Sequence, residues 1–422
     1  MNRQNRNESS TMYPPQASIG RLSIILGVLA MFAPVGTDMY LAGVVNVADS
    51  FHADISKAQL TIPIYFLGLA VGQVLYGPLV DRFGRKWPLL IGEITFIVSS
   101  LLIVVAPSIN SVIALRLLQA LGGCSGMIIG RVIVRDLFDF RQSAKMYAML
   151  GVVQGLGPIL APVAGGFILV RWGWRATFVC MGVFGITCLI ASVWGLPESL
   201  PPKSRRKANL PQIIRDYWEM ACHRSFIVPA LTGAVAGSFL FAYICASPYI
   251  FMNVFGVSKT LYTTIFVSNT VGTMIAAQLN NFLSHKYSPV RKLTGALTLA
   301  LVFNGTLVLA SHQSSMIMFM IPLWFAIATM PVIFANAIAI TMRDCGDKAG
   351  IASALFGLLQ FCFACLTSAL ASVWHDGTPA PMAWIMLAAI GLGLAIFVVG
   401  TRLGDPCPAV DETETCSSQT NI

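Results

Sequence analysis

An aspartate interrupts a long apolar stretch near the start of the chain. The segment from about 23 to 48 is largely hydrophobic, and Asp38 lies inside it, in the string Gly36-Thr37-Asp38-Met39-Tyr40. Placing a carboxylate within a hydrophobic segment costs roughly 2.5–3.5 kcal/mol on insertion scales, so such a residue is a candidate for a functional role. A carboxyl group in this setting can bind and release a proton, which makes Asp38 the first candidate for coupling.

A second charge, Arg116, lies inside another apolar run. If both runs are membrane-spanning helices, their rise places Asp38 roughly 22 Å above the inner face of a membrane hydrocarbon core about 30 Å thick. Arg116 then lies roughly 10 Å below the outer face of the same core. Two unpaired charges at similar depth are costly, so we expect them to be close, directly or through water. They form either a coupling pair or a purely structural ion pair. Gln119, one turn from Arg116, can orient the arginine or bind substrate.

The composition excludes a soluble enzyme. Of the 422 residues, 56% are hydrophobic and 11% are charged, which is typical of a polytopic membrane protein. The cysteines are scattered, and the C-x-x-C pair Cys362 and Cys365 lies in an apolar run without histidines, so we expect no metal and no cofactor. The net charge of +9 is assigned to basic cytoplasmic loops, with no nucleic-acid partner.

Apolar runs of about 20 residues fall in twelve places, six on each side of a segment rich in proline and basic residues. The pattern predicts an all-α membrane protein with 12 transmembrane helices in two pseudo-symmetric six-helix bundles. The expected order is a cytoplasmic N-terminal segment, the N-terminal bundle, a cytoplasmic linker, the C-terminal bundle and a disordered cytoplasmic tail. Their predicted bounds are 1–22, 23–196, 197–224, 225–403 and 404–422.

The basic residues predict the orientation. With both termini cytoplasmic, most arginines and lysines fall inside, and those outside are Lys57, Arg171, Arg175 and Lys259. A short repeat supports the division into halves, because Val134-Arg135-Asp136 before one helix is matched by Met342-Arg343-Asp344 before another. Duplicated six-helix halves with a site at their interface are a common transporter architecture.

A glycine-rich basic loop joins the second and third predicted helices, with the sequence Gly77-Pro78-Leu79-Val80-Asp81-Arg82-Phe83-Gly84-Arg85-Lys86. The glycines permit a tight turn, and Asp81 can pair with a nearby arginine or a helix N-terminus. We interpret the loop as a latch that breaks and re-forms. The expected latch residues are Gly77, Asp81, Arg82, Gly84, Arg85 and Lys86.

This loop matches the loop signature of the major facilitator superfamily almost residue for residue. Ala114 to Gly122 resembles the helix-four signature of its proton-coupled members, and Gly157 to Gly166 resembles the helix-five signature of its drug antiporters. Thr37 to Leu41 and Arg131 to Asp136 resemble the bicyclomycin/chloramphenicol-resistance branch of the twelve-helix drug:proton antiporters. The C-terminal half resembles the family by pattern only, and Ala42 stands where the branch commonly has proline.

The resemblance implies a proton-coupled multidrug efflux transporter of the bacterial inner membrane, working by alternating access. Asp38 would carry the proton and Arg116 would modulate it. The fifth helix would help to gate, or would only pack, through Gly157, Pro158, Pro162, Gly165 and Gly166. Aromatic, methionine and glutamine side chains suit a cavity for large apolar substrates, namely Met39, Tyr40, Tyr65, Gln119, Tyr147, Met149, Phe239, Phe241 and Tyr243.

Other readings stay open at this point. The same fold serves carriers of one metabolite, such as a nucleoside, a purine or a siderophore. An enzyme would need clustered His, Asp or Glu at a membrane face, and the sequence has no such cluster. Glu93, the other buried acid, is a further candidate for coupling. The expected partners are small amphipathic molecules, protons and lipid, and we expect a monomer.

Overall fold

The computed structural model describes residues 16–137, 140–201, 205, 210–313, 315–343, 345, 348–374 and 376–402. These residues are helical, with short turns between the helices. The predicted segments 1–22 and 404–422 therefore lie wholly or largely outside the described residues. Each half contributes six long helices, and we label these α1 to α12 in chain order.

The helices of the N-terminal half run alternately up and down across the bundle. Their bounds are α1, in the pieces Gln16–Leu29, Phe32–Asp38 and Val44–Ser50; α2, Ile55–Gln59 with Thr61–Phe83; α3, Lys86–Val104; α4, Ile109–Leu137; α5, Phe140–Trp172; and α6, Trp174–Gly195.

The C-terminal half repeats the arrangement. Its helices are α7, Arg224–Gly237 with Phe239–Tyr249; α8, Lys259–Leu283; α9, Pro289–Ser311; α10, Met316–Met342; α11, Ala349–Val373; and α12, Ala380–Arg402. Within the described chain the prediction of twelve helices in two bundles is confirmed. Ten of them are long and apolar enough to cross a membrane by composition alone. The other two, α5 and α8, are recognised from their place in the bundle.

The segment predicted as a linker contains a helix of its own, Leu210–Cys222, which we call the linker helix. Its apolar side, with Met220, packs against Phe226 of α7 and Leu355 of α11. Its polar side carries Glu219, which pairs with Arg215 at 2.9 Å and with Lys348 at 3.5 Å. The hydrogen bond from Arg215 and the charge of Lys348 hold the pKa of Glu219 below its usual value. The linker is thus attached to the C-terminal bundle.

Both bundles begin with an interrupted helix. In α1 the backbone N–H of Tyr40 bonds to the carbonyl of Thr37 at 3.4 Å, one residue short of the helical pattern. In α7 the interruption falls at Ser238, whose N–H bonds to Val235 at 3.2 Å. An interrupted helix leaves carbonyl groups without their helical partners, and in a membrane other protein groups must satisfy them.

The two halves meet along two helix pairs, α2 with α11 and α5 with α8. Phe66 of α2 and Phe241 of α7 lie with ring centroids 4.7 Å apart, and Phe361 of α11 lies beside them. Where Gly166 of α5 faces α8, a Cβ would lie 2.6 Å from the hydroxyl oxygen of Thr263. A side chain larger than hydrogen would therefore require the Thr263 hydroxyl to move.

Within the N-terminal half, small residues let α4 approach α3 closely. A Cβ added to Gly122 would lie 2.5 Å from the carbonyl oxygen of Gly92 and 2.5 Å from the backbone nitrogen of Phe96. Backbone atoms of a packed helix cannot move aside at little cost, so only glycine fits here. Gly122, Gly126 and Gly130 lie four residues apart along α4, and such small-residue spacing permits close helix contact.

We expect Gly122→Ala to destabilise the protein by about 1–3 kcal/mol, because the added methyl group forces α3 and α4 apart. Thermal unfolding of purified protein in detergent would measure this loss. The matched control is Gly130→Ala in the same helix, where the nearest atom to an added Cβ is 3.8 Å away. That variant should keep or slightly raise the unfolding temperature, and equal losses in both variants would contradict the packing argument.

Candidate functional site

Asp38 is the last residue of the second piece of α1, where the helix is interrupted. Its side chain is buried, with 7% of the residue exposed. Among the described residues, no lysine or arginine forms an ion pair with it. The side chains of Tyr65 of α2 and of Tyr243 and Tyr262 of the other half lie near it. Asp38 therefore lies in the N-terminal bundle, close to the C-terminal bundle.

Arg116 of α4 is completely buried and is held by neutral groups. Its Nη1 donates to the carbonyl oxygen of Gly36 at 2.7 Å and to Oε1 of Gln119 at 2.6 Å. The Gly36 carbonyl is available because the N–H of Tyr40 bonds to Thr37 instead. Gln119 is fixed in turn, since its Nε2 donates to the hydroxyl of Ser100 at 2.7 Å. The interruption of α1 thus creates the acceptor that positions Arg116.

Aromatic rings enclose the rest of the Arg116 guanidinium. The ring centroids of Tyr65, Tyr40 and Phe178 lie 4.2, 4.9 and 5.9 Å from its Cζ. The faces of aromatic rings carry partial negative charge and stabilise a nearby cation. Within the described chain, Nε and Nη2 of Arg116 are buried without a hydrogen-bond partner.

The sequence predicts that Asp38 and Arg116 are close, directly or through water, and among the described residues no direct ion pair joins them. Of the three guanidinium nitrogens, Nη1 bonds to Gly36 and Gln119, and Nε and Nη2 have no partner in the described structure. The interruption of α1 accounts for this, because it presents a backbone carbonyl to Arg116 two residues before the carboxylate. The pair is joined through the backbone of α1.

The residues predicted to form a substrate cavity fall into two groups. Seven are buried, with 0–9% of each residue exposed: Met39, Tyr40, Tyr65, Gln119, Phe239, Phe241 and Tyr243. The side chains of Tyr147 and Met149 lie outside the described part of α5. In the C-terminal half, Nδ2 of Asn269 donates to the hydroxyl of Tyr243 at 2.8 Å, and the Tyr243 ring stacks with Phe266 at 5.9 Å. A role in substrate binding stays a prediction for all nine.

The predicted gating helix, α5, touches both α1 and the opposite half. Gly165 lies against the backbone of Met39, next to Asp38, and Gly166 lies against Thr263 of α8. Pro162 has no N–H, so the carbonyl of Pro158 lacks its helical donor. The hydroxyl of Thr270, in α8, reaches this carbonyl at 3.5 Å. The proline therefore frees a carbonyl that contacts the other half.

At the predicted latch, a charge cluster joins the loop between α2 and α3 to α4. Arg85 donates to Asp81 at 2.8 Å and to Asp136 at 2.8 Å. The guanidinium is nearly buried, with 4% of its side chain exposed, whereas 54% of the Asp81 side chain is exposed. Gly84 has φ = 90°, a conformation that favours glycine and makes the turn into α3. Gly77 faces open space, and Arg82 lies over the ring of Phe83.

Glu198, which follows α6, completes this cluster and was not anticipated from the sequence. Its carboxylate accepts from the backbone N–H groups of Arg85 at 2.8 Å and Lys86 at 3.2 Å, at the start of α3. Lys86 returns the contact by donating through Nζ to the carbonyl of Val193, near the end of α6, at 2.8 Å. Opposite charges at the two helix ends favour this arrangement. The sequence signal that could have indicated this role is that Glu198 is a single acidic residue, directly after Pro197, at the start of a basic region.

Glu93 lies away from the contact between the halves. It is 0% exposed in α3, and its Oε1 accepts from the hydroxyl of Ser192 in α6 at 2.7 Å. In the described structure Oε2 has no partner. Because α3 and α6 pack against each other at this point, the position favours a structural role for Glu93 over coupling.

The geometry defines a membrane protein of two six-helix bundles with a buried acid and a buried arginine in the first bundle. The family model described as Major Facilitator Superfamily matches residues 26–369. The chain belongs to this superfamily and is a multi-pass membrane transporter of small molecules.

Known proteins resemble the chain along most of its length. It is 29% identical to the uncharacterized MFS-type transporter YdgK of Bacillus subtilis, covering 89% of this chain and 94% of that one. It is 27% identical to a bicyclomycin resistance protein homolog of Haemophilus influenzae, covering 90% and 96%. It is 28% identical to the multidrug resistance protein MdtL of Escherichia coli, covering 91% and 95%. A solved D-xylose-proton symporter has a TM-score of 0.71 at 15% identity, covering 90% and 97%, and shows the shared fold.

We expect Glu198→Ala to loosen the start of α3, because the backbone N–H groups of Arg85 and Lys86 lose a charged acceptor. Removing such a cap costs about 1–2 kcal/mol, so amide hydrogen exchange at these two residues should accelerate about 5- to 30-fold. The control is Glu219→Ala, which removes an acid with exposed partners and should leave α3 unchanged. Unchanged exchange in Glu198→Ala would show that the carboxylate does not hold this helix end.

Proposed function

We propose that this transporter exports amphipathic drugs in exchange for protons across the bacterial inner membrane. Two of the relatives are named for bicyclomycin or multidrug resistance, and the chain matches them along nearly their whole length. The observation that carries the proposal is Asp38, a buried acid at an interrupted helix with no cationic partner among the described residues. Transmembrane acids in such positions mark proton pathways.

Asp38 carries the proton in this proposal. A carboxyl group that is buried away from any cation is neutral, because an isolated charge in an apolar environment is very costly. When the halves move and water or a cation reaches Asp38, the ionised form becomes favourable and the proton leaves. Binding of a proton and binding of drug then alternate as the two halves rock about the cavity between them.

Arg116 controls this exchange from a fixed position. Its charge is satisfied by the Gly36 carbonyl, Gln119 and three aromatic rings, so Asp38 need not neutralise it while protonated. A small movement of α1 would bring the carboxylate towards the unpartnered Nε and Nη2 of Arg116 and stabilise the ionised form. The arginine would thereby promote proton release in one conformation only.

The remaining elements supply the conformational change. The cluster of Arg85, Asp81, Asp136 and Glu198 latches the inner ends of the N-terminal bundle, and α5 gates through its contacts with α1 and α8. We place both termini in the cytoplasm, from the distribution of basic residues, and we propose that one chain is the working unit. One proton moving down 100 mV supplies about 2.3 kcal/mol, and a pH difference of one unit adds about 1.4 kcal/mol. Together these sustain a drug gradient of several hundredfold.

Proton movement in inverted membrane vesicles tests the proposal. We expect candidate drugs to evoke proton release in vesicles containing the wild-type protein and no release with Asp38→Asn, because the amide cannot carry a proton. The matched control is Glu93→Gln, which removes the other buried acid of this bundle and should keep the response.

Equal responses from wild type and Asp38→Asn would contradict the assignment of Asp38. A response lost in Glu93→Gln and kept in Asp38→Asn would move the proton to Glu93. Silence from a folded wild-type protein towards every drug would favour a carrier of one metabolite.

A further inference from the structure

Tyr65 of α2 contacts both Arg116 and the piece of α1 that carries Asp38. The residue is 0% exposed, and its ring is the closest of the three aromatic rings to the Arg116 guanidinium, at 4.2 Å. Its hydroxyl donates to the carbonyl oxygen of Phe32 at 3.4 Å, in the piece of α1 that ends at Asp38. One side chain therefore touches both the arginine and the helix that carries the acid.

The contact with α1 depends on a glycine. A Cβ at Gly36 would overlap the hydroxyl oxygen of Tyr65 and would lie 2.6 Å from its Cζ. The same glycine offers its carbonyl to Arg116 at 2.7 Å. Gly36 thus brings the Tyr65 ring and the guanidinium against the same turn of α1, two residues before Asp38.

Several titratable or charged groups surround the Tyr65 ring, so the position of the ring affects which of them Asp38 can approach. The titratable or charged groups around Tyr65, Asp38 and Arg116 within the described chain are Tyr40 of α1, Cys124 of α4, Tyr243 of α7 and Tyr262 of α8. Arg116 is the cation of this site, and two of its nitrogens have no partner in the described structure. A carboxylate that reached those nitrogens would form a strong charge-assisted contact.

We propose that Tyr65 is a positioning residue that keeps the Asp38 carboxyl group away from Arg116, so that Asp38 retains its proton until the halves move. The ring occupies the space beside the guanidinium and supplies part of the compensation that a carboxylate would otherwise give. The hydroxyl fixes the ring against α1. This inference rests on the proposed proton exchange and adds a residue that sets the pH at which the exchange operates.

The inference predicts opposite outcomes for two substitutions at Tyr65. Tyr65→Phe keeps the ring against Arg116, so the pH dependence of transport should stay as in the wild type. Tyr65→Leu removes the ring, lets the carboxylate approach Arg116 and favours the ionised acid. The pH of half-maximal drug-evoked proton release should then move about one unit lower, which corresponds to about tenfold weaker proton binding.

Tyr76→Leu is the matched control for lost packing. Tyr76 lies in the same helix and also donates to the backbone of α4, at the carbonyl of Leu121 and 3.0 Å, but its ring does not enclose Arg116. The measurement uses purified protein in proteoliposomes, over a series of pH values, with the amount of folded protein determined for each variant. Tyr76→Leu should lower activity at most, without moving the midpoint of the pH profile.

Gly36→Ala gives a second, independent variant. The added methyl group displaces the Tyr65 hydroxyl, so the pH midpoint should shift in the same direction as in Tyr65→Leu. Adding Tyr65→Phe removes the overlapping hydroxyl, and the double variant should recover part of the wild-type profile.

Three results would overturn the inference. These are an unshifted midpoint in both Tyr65→Leu and Gly36→Ala, an equal shift in Tyr76→Leu, or a shift in Tyr65→Phe as large as in Tyr65→Leu. Failure of the proposed function looks different, because the wild-type protein would then show no drug-evoked proton release at any pH.

Discussion

The bond between Arg116 and the carbonyl of Gly36 is the constraint on which the arrangement of the N-terminal bundle depends. A guanidinium buried in the membrane must be compensated, and here the compensation comes from a backbone group and aromatic rings. The backbone group is available only because α1 is interrupted beside it. The same interruption places Asp38 at the end of a helical piece, so the position of the acid and the environment of the arginine have one structural cause.

Backbone carbonyls that accept a bond from a side chain of another helix recur elsewhere in the molecule. In α7, just after the interruption, the carbonyl of Ser238 accepts from the hydroxyl of Thr367 in α11 at 3.0 Å, and that of Phe241 accepts from Ser368 at 3.1 Å. In α5, Pro162 frees the carbonyl of Pro158 for Thr270. These partners are neutral hydroxyl groups, which form weaker hydrogen bonds than a charged donor does. At the Gly36 carbonyl of α1 the donor is instead the charged Arg116 of α4, beside the proposed proton carrier.

The sequence was sufficient to predict the twelve helices, the two charges and the loop between α2 and α3. Charged residues are rare in apolar runs, so Asp38 and Arg116 were visible without a structure, and the glycines and charges of the loop formed a recognisable string. Although α8 contains the polar residues Thr263, Asn269 and Thr270, it was predicted as a membrane-spanning helix from its length and from its place in the series of apolar runs.

What the sequence could not provide was the choice of partners. Depth along a helix predicted that Asp38 and Arg116 are close, directly or through water, but helix rise does not show that the turn before Asp38 presents a carbonyl to the arginine. Glu198 is more than 100 residues from the helix end that it caps, and no local pattern links the two. Tyr65 was predicted to line a substrate cavity from its residue type and its helix, and that role stays a prediction; its contacts with Arg116 and Gly36 could not be predicted in this way.

The protonation state of Asp38 tests the central claim most directly. Infrared difference spectroscopy of the protein in lipid, at neutral pH, distinguishes a protonated carboxylic acid from a carboxylate by its C=O stretching band. The account predicts an acid band that disappears in Asp38→Asn, persists in Glu93→Gln and is lost from the wild type when a transported drug binds. If the wild-type protein shows no acid band that depends on Asp38, the carboxyl group is ionised in this environment, and the proposed proton carrier is wrong.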